Sequence, residues 1–363
     1  MVETLSLRRL NRATLGRQML LRRERTTALR AVERLVGLQA QQARPPFLGL
    51  WSRVENLRRE DLLRLVRSRR VVRAVAMRVT LHLMSAKDFL SFRAALQPAL
   101  SDGMRTILRG RAEGLDIPRL AEEARAFLAE GPRIFEDLRD HLGRLHSGAD
   151  VRAMGYAVRT HLPLVQVPGE GERWGWSGQA LFAAAEEFLG KSVGREGRPH
   201  ALLLRYLAAF GPATPADAQA WSGLPGLREV FEDLRPRLRA FRDERGRDLF
   251  DLPKAPRPPE DTSAPPRFLP DFDNLVLSHA DRTRVVADEH RPRVVTRNLQ
   301  VLPTFIVDGF VAGTWRVERR GSAATLRLAP FGRLSKEARG ALAEEGLRLL
   351  RFVEEDADDF DVR

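Results

Sequence analysis

A pattern of short amphipathic helices followed by two strand-like runs recurs three times and constrains the fold more than any other feature. The clearest copy, TPADAQAWSGLPGLREVFEDL, begins at Thr214, which can cap a helix that runs to Trp221. SGLPG supplies a turn, and apolar residues recur at helical spacing from Leu227. A hairpin follows, with LRAF and DLFDL joined around Gly246. Helices followed by a hairpin are typical of a winged helix-turn-helix module.

After Leu252 the composition changes to PKAPRPPEDTSAPPR, which neither a helix nor a central strand could contain. Beyond this segment, β-branched and aromatic residues alternate with polar ones, with turn signals at Asp308-Gly309 and Gly321-Ser322. This pattern predicts a small antiparallel barrel or curled sheet, and a closing helix that begins at a Ser335 cap.

The predicted fold class is therefore α+β, with three tandem winged helix-turn-helix modules and a small C-terminal β-barrel. The predicted regions are module 1 with the glutamine motif described below (1–110), module 2 (111–177), module 3 (178–253), and the linker, barrel and closing helix (254–363).

Charge gives the first indication of function. The chain has 61 Lys+Arg against 48 Asp+Glu, a formal net charge of +13, and almost all of the positive charge is arginine. Guanidinium groups bind phosphates and guanine edges in a forked geometry, so a polyanion such as duplex DNA is the expected partner. A GC-rich genome that favours arginine codons is the alternative explanation of the arginine excess, but it does not explain the net charge.

Several classes of site are excluded or disfavoured. The chain has no cysteine, which excludes disulfides and thiolate catalysis, and its seven histidines show no metal-binding spacing. LGKS at 189–192 lacks the earlier glycine of a phosphate loop, because position 185 is Ala. No apolar run is long enough to span a membrane, and the first residues do not resemble a signal peptide. We expect no metal, no cofactor, no membrane contact, and a cytoplasmic monomer.

One short stretch, LQAQQARPP, contains an unusual amide pair, Gln39 and Gln41, on either side of Ala40. Gly37 is a plausible helix terminator, and Pro45-Pro46 favour a new helix start. The residues between them should form an extended turn in which the two glutamines share one side while Ala40 faces the core. From composition alone, amides that hydrogen bond backbone groups in the turn are a better explanation than amides that take part in chemistry.

The glutamine motif does not stand alone. With MRVTLHLMSAKDF, LPLVQVPGEGERWGWSG, RYLAAFGPATPADAQAWSGL, FLPDFDNLVLSHADRTRV and LPTFIVDGFVAGTWR, the chain resembles the bacterial winged-helix DNA glycosylases of the AlkZ-like family over nearly its whole length. The resemblance implies three winged-helix modules and a β-barrel arranged around duplex DNA. It also implies hydrolysis of the N-glycosidic bond of bulky or cationic N7-alkylpurines, including interstrand crosslinks, in base excision repair.

The family motif is Gln, an aliphatic residue, then Gln or Asp. Gln39 and Gln41 match the form that ends in Gln rather than the YcaQ-type form that ends in Asp, and Ala40 is smaller than the usual middle residue. The resemblance therefore makes Gln39 and Gln41 the catalytic candidates. No lysine lies near the pair in sequence, so a Schiff-base lyase step is not expected and the enzyme should be monofunctional.

The resemblance to the family also suggests candidate DNA contacts. They are Arg44, Arg78, Thr80, His82, Arg282 and Trp315. His82 could equally be a satisfied strand residue, and Trp315 could be either core or a plug in a DNA groove.

Two other functions remain open from the sequence. The chain could be a non-catalytic DNA-binding transcriptional regulator, because winged-helix modules most often bind duplex DNA. Alternatively, it could be a glycosylase whose catalyst is a carboxylate of the DFDNL run, Asp271 or Asp273. The many polar and charged residues in and after that run could equally form buried ion pairs between modules.

Overall fold

The computed structural model describes residues 2–363. Its N-terminal third consists of short helices and a β-hairpin. The elements are β1 (Thr4–Leu5), α1 (Leu7–Arg17), α2 (Ala28–Arg34), β2 (Leu38–Gln39), α3 (Pro45–Trp51), α4 (Arg59–Arg67), β3 (Val71–Val75), β4 (Leu81–Ser85), α5 (Ala86–Phe92) and α6 (Gln97–Leu108). A turn of 3-10 helix at Met77–Val79 joins the two hairpin strands.

The next group repeats the order of helices followed by a hairpin. Its elements are α7 (Ile117–Ala129), β5 (Arg133–Ile134), α8 (Phe135–Leu145), α9 (Val151–His161), β6 (Leu164–Val167), β7 (Leu181–Ala184) and α10 (Ala185–Leu189). The first two hairpins belong to one six-stranded sheet of order β2-β4-β3-β6-β7-β5. Strands β3 and β6 pair at Arg73 with Gln166 and at Ala74 with Val165, so backbone hydrogen bonds connect the first and second groups.

The third group contains α11 (His200–Phe210), α12 (Pro215–Ser222), α13 (Leu227–Leu234), β8 (Arg239–Asp243) and β9 (Asp248–Asp251). Thr214 caps α12 as predicted, because its hydroxyl accepts a hydrogen bond from the backbone N–H of Asp217. β1 lies parallel to β8, with Thr4 opposite Arg242, so the start of the chain packs against the third group rather than the first.

No helix or strand forms between Leu252 and Pro266, as the proline-rich composition predicts. The remaining elements are β10 (Arg267–Leu269), α14 (Arg291–Val294), β11 (Thr304–Val307), β12 (Phe310–Arg320), β13 (Ala323–Pro330), α15 (Lys336–Val353) and β14 (Asp359–Val362). The described residues therefore form an α+β fold, as the sequence predicts. No helix among residues 2–363 is both long enough and apolar enough to cross a membrane.

The predicted C-terminal β-barrel is wrong. The five strands form an open sheet of order β10-β11-β12-β13-β14, and the two edge strands, β10 and β14, do not pair with each other. Closure requires that the edge strands hydrogen bond, but β10 has only three residues and α15 packs against both β10 and β13. The closing helix therefore covers one face of a sheet that strand pairing leaves open.

A buried ion pair connects the first helix to the third group. Both guanidinium Nη atoms of Arg17, on α1, donate to the Asp251 carboxylate at the end of β9, each at 2.7 Å. The two side chains are 1% and 0% exposed. Because both charges are out of water, loss of the Asp251 carboxylate leaves the Arg17 charge uncompensated.

Asp251→Asn should lower the free energy of unfolding by about 3–5 kcal/mol, since it leaves the Arg17 charge buried without a carboxylate. The matched control is Asp248→Asn on the same strand, because Asp248 pairs with Arg242 at the surface, where both side chains are more than half exposed. That change should cost less than about 1 kcal/mol. Chemical denaturation measures both values, and equal losses in the two variants would contradict the assignment.

Candidate active site

The glutamine motif lies in an extended segment between two helices, as its sequence predicts. Gly37 precedes β2 with a φ of +91°, and a Cβ there would lie 2.9 Å from the Met84 side chain, so only glycine fits. α3 begins at Pro45. Ala40 between the glutamines is fully buried, and its N–H donates to the Leu81 carbonyl at 2.7 Å.

An arginine fixes the Gln39 side chain. Gln39 is 5% exposed and lies opposite His82 of β4. Its Oε1 accepts a hydrogen bond from Arg78 Nη2 at 2.8 Å. Because a guanidinium has no acceptor, the atom that faces it must be the amide oxygen. The orientation of the amide is therefore determined.

Gln41 is exposed, and its Oε1 accepts from the Leu81 backbone N–H at 2.8 Å. Arg73 on β3 holds the backbone of the motif, because it donates to the Ala40 carbonyl at 2.8 Å and to the Gln41 carbonyl at 2.9 Å. The expectation that the amides bond backbone groups thus applies to Gln41 but not to Gln39. Each amide oxygen keeps a second lone pair.

Arg78 connects three distant parts of the chain. Besides Gln39, it donates to Asn274 Oδ1 at 2.8 Å and to the Trp221 carbonyl. Burial, with repulsion from Arg282 as the smaller cause, lowers the pKa of Arg78 to about 10. The guanidinium therefore remains charged at neutral pH.

His82 lies beneath this network and is fully buried. Its Nδ1 donates to the Thr80 carbonyl at 3.0 Å, which leaves Nε2 as an acceptor 3.4 Å from Arg78 Nη2. Burial and the Arg78 charge lower the pKa of His82 to about 3. His82 is therefore a strand residue whose ring is hydrogen bonded within the protein. Because it is fully buried, it cannot make the predicted DNA contact. Thr80 is partly buried, and its hydroxyl donates to the Met77 carbonyl at 3.0 Å.

Beside Gln39 is a cleft of about 10 Å³, which is room for about one water molecule. Two carboxylates line it, Asp271 and Asp273. Asp273 is buried and makes two hydrogen bonds to Arg53, at 2.8 and 2.9 Å. Asp271 is partly buried, and its side chain has no hydrogen bond or ion pair to another residue within 2–363. Burial raises the pKa of Asp271.

The remaining candidate DNA contacts differ in how far their side chains are exposed to solvent. The guanidinium groups of Arg44 and Arg282 are partly buried and have no hydrogen-bond or ion-pair partner in the described chain. Trp315 is 4% exposed, and its Nε1 donates to the Leu269 and Thr304 carbonyls, both at 3.0 Å. The structure therefore places Trp315 in the core of the C-terminal sheet, which corrects the expectation of a groove contact.

Sequence reasoning did not assign roles to Arg73 and Asn274. The one available signal for Arg73 is a charged residue inside the apolar strand VVRAVA. Asn274 gives no comparable signal, because its partner Arg78 is 196 positions away. Across residues 2–363, no three His, Asp or Glu side chains are grouped as metal ligands.

Comparisons with known proteins bear on the family and the fold of the chain. The family model described as DNA glycosylase AlkZ-like matches residues 32–352. The chain is 28% identical over 331 residues to a Streptomyces sahachiroi protein described as an interstrand DNA cross-link repair glycosylase, covering 83% of this chain and 85% of that one. The solved structure of the Streptomyces sahachiroi DNA glycosylase AlkZ superimposes with a TM-score of 0.79 at 24% identity, over 99% of each chain.

Two buried neutral histidines should make stability depend on pH. They are His82 and His279, and burial together with a neighbouring arginine lowers the pKa of each to about 3. An unfolded histidine has a pKa near 6.5, so stability is complete above about pH 6.5 and declines as the pH falls towards 3. Between pH 6.5 and pH 5 each histidine should remove about 2 kcal/mol from the free energy of unfolding.

Urea unfolding at pH 7 and pH 5 measures this loss. His82→Gln and His279→Gln should each remove roughly half of the difference between the two pH values. Equal wild-type stability at pH 7 and pH 5 would contradict the assignment of neutral rings.

Proposed function

The chain belongs to the AlkZ-like DNA glycosylase family, and on that premise we propose that it hydrolyses the N-glycosidic bond of bulky or cationic N7-alkylpurines in duplex DNA. Gln39 and Gln41 are the proposed catalytic pair. The observation that carries the proposal is the fixed orientation of the Gln39 amide, whose oxygen faces Arg78 at the edge of a water-sized cleft. Because the Arg78 guanidinium can only donate, it holds the Gln39 oxygen in one orientation beside that cleft.

The chemistry suits amides. An N7-alkylguanine is already cationic, so it leaves without a strong general acid. The remaining requirements are to stabilise an oxocarbenium-like sugar and to place a water molecule. The free lone pairs of the Gln39 and Gln41 oxygens can accept a hydrogen bond from that water and direct a dipole at the developing positive charge. An amide has no useful basicity, so the pair by itself suits activated lesions rather than neutral bases.

Duplex DNA is the proposed macromolecular partner. The net charge of +13 supports it, as do the guanidinium groups of Arg44 and Arg282, which have no protein partner among the described residues. A protein that acts on one lesion at a time needs no second copy, so we propose a monomer. Its proposed location is the cytoplasm, where bacterial DNA lies. The alternative of a transcriptional regulator is not favoured, because the family is one of glycosylases.

The proposed organisation is three winged-helix modules, at 1–110, 111–177 and 178–253, and a C-terminal region from 254 onward. Three of these regions meet at the candidate site. Arg78 comes from the first, the Trp221 carbonyl from the third and Asn274 from the last. Interstrand crosslinks are proposed substrates as well, because the Streptomyces sahachiroi relative is described as a cross-link repair glycosylase.

Gln39→Ala and Gln41→Ala should each slow base release by roughly 10²–10³-fold, the effect of removing one preorganised polar group at a developing charge. The assay is single-turnover release of N7-methylguanine from a duplex, with the free base quantified by mass spectrometry. Gln42→Ala is the matched control, because Gln42 is the adjacent exposed amide and makes no side-chain hydrogen bond within the described chain. It should release the base at the wild-type rate.

Wild-type protein should leave an intact abasic strand, and borohydride should trap no covalent complex. Release at the wild-type rate by both alanine variants would make the pair structural and refute the proposed catalytic role. A parallel duplex with an N7-linked interstrand crosslink tests whether that lesion is also accepted.

A further inference from the structure

We propose that Asp271 is the catalytic base of this site, and that it accepts the proton from the water molecule that attacks the sugar. The inference rests on the proposed function and deepens it, because it gives the glutamine pair a carboxylate partner.

The backbone fixes the position of Asp271. It lies between β10 and the 3-10 turn Asn274–Val276, in a segment whose next residue, Phe272, has a left-handed φ of +56°. The Phe272 side chain is buried in the core beneath, and Phe272 N donates to the Val301 carbonyl at 3.3 Å. Both ends of the segment are thus anchored, and Asp271 lines the same cleft as Gln39.

The other carboxylate of the cleft cannot serve. Asp273 makes a buried bidentate ion pair with Arg53, and its Oδ1 also accepts from the Leu275 N–H at 2.9 Å. Its oxygens are committed to holding the fold. Asp271, by contrast, has no side-chain partner within residues 2–363 and remains partly accessible. It is therefore the carboxylate of this cleft that is free to accept a proton.

The positive charges beside the glutamine pair also favour a carboxylate at this site. Arg73 and Arg78 hold the motif, and neither makes an ion pair within the described chain. Two cations beside the glutamines disfavour a positive charge on the sugar, and amide dipoles offset that only in part. The Asp271 carboxylate supplies the opposite sign at the cleft. Burial raises the pKa of Asp271, although the nearby Arg44 charge acts in the opposite direction, and a raised pKa makes the carboxylate a stronger base.

The proposed hydrolysis consumes one water molecule and no other co-reactant. The C1′–N9 bond breaks, and its electron pair goes to the cationic purine, which leaves as a neutral N7-alkylguanine. The water oxygen forms the new bond to C1′, and one water proton moves to the Asp271 carboxylate and then to solvent. Gln39 and Gln41 hold the water through their oxygens during this step.

Asp271→Asn keeps the shape of the side chain and removes its basicity, so single-turnover release of N7-methylguanine should fall by roughly 10²–10⁴-fold. Binding of an uncleavable abasic-analogue duplex should stay within twofold of wild type. Asp288→Asn is the matched control, since it also deletes one negative charge, but at an exposed position outside the site. Asp271→Glu should recover part of the rate.

The pH profile separates a base from a structural residue. The rate of wild type and of Asp288→Asn should fall as Asp271 becomes protonated on the acid side, whereas the residual rate of Asp271→Asn should lose that limb. A variant that releases the base within threefold of wild type with an unchanged profile would overturn the inference. Absence of release by the wild-type protein would refute the proposed function itself, so the two failures are distinguishable.

Discussion

The candidate site depends on the hydrogen bonds of one arginine. Arg78 donates to the Gln39 oxygen, to Asn274 and to the Trp221 carbonyl, and thereby joins the first hairpin, the third helical group and the segment that enters the C-terminal sheet. A partly buried cation with three acceptors has few alternative arrangements. Neutral His82 beneath it leaves its Nε2 as an acceptor, which avoids a second positive charge. The orientation of the amide therefore depends on how these regions pack.

The chemistry proposed for the site follows from this restraint. Gln39 and Gln41 present oxygens that each keep one lone pair, which suits placement of a water molecule but not its deprotonation. The proposed base, Asp271, would add the basicity that the amides lack and a negative charge in the same cleft as Gln39. Because an N7-alkylated purine departs without protonation, the proposed reaction needs no general acid. Such a site would discriminate by the chemical state of the lesion rather than by base sequence.

Local features of the fold could be read from the sequence. Thr214 at a helix start and Gly37 at a left-handed turn each reflect rules that involve only nearby residues. Long-range features could not be predicted. Trp315 packs in the core, where carbonyls of two other strands accept its N–H, and the sheet is open because its edge strands β10 and β14 do not pair. The family motif made Gln39 a candidate, but its hydrogen bond from Arg78, 39 positions further along the chain, is recognisable only once the fold is known.

The proposed site must favour a positive charge on the sugar although arginines lie beside the glutamine pair. The most direct test compares two duplexes that differ at one position, one with a cationic pyrrolidine analogue of the abasic sugar and the other with its neutral tetrahydrofuran counterpart. We predict that the cationic duplex binds at least ~10²-fold more tightly, as expected for a mimic of the transition state. Equal affinity for the two duplexes, or preference for the neutral one, would contradict it.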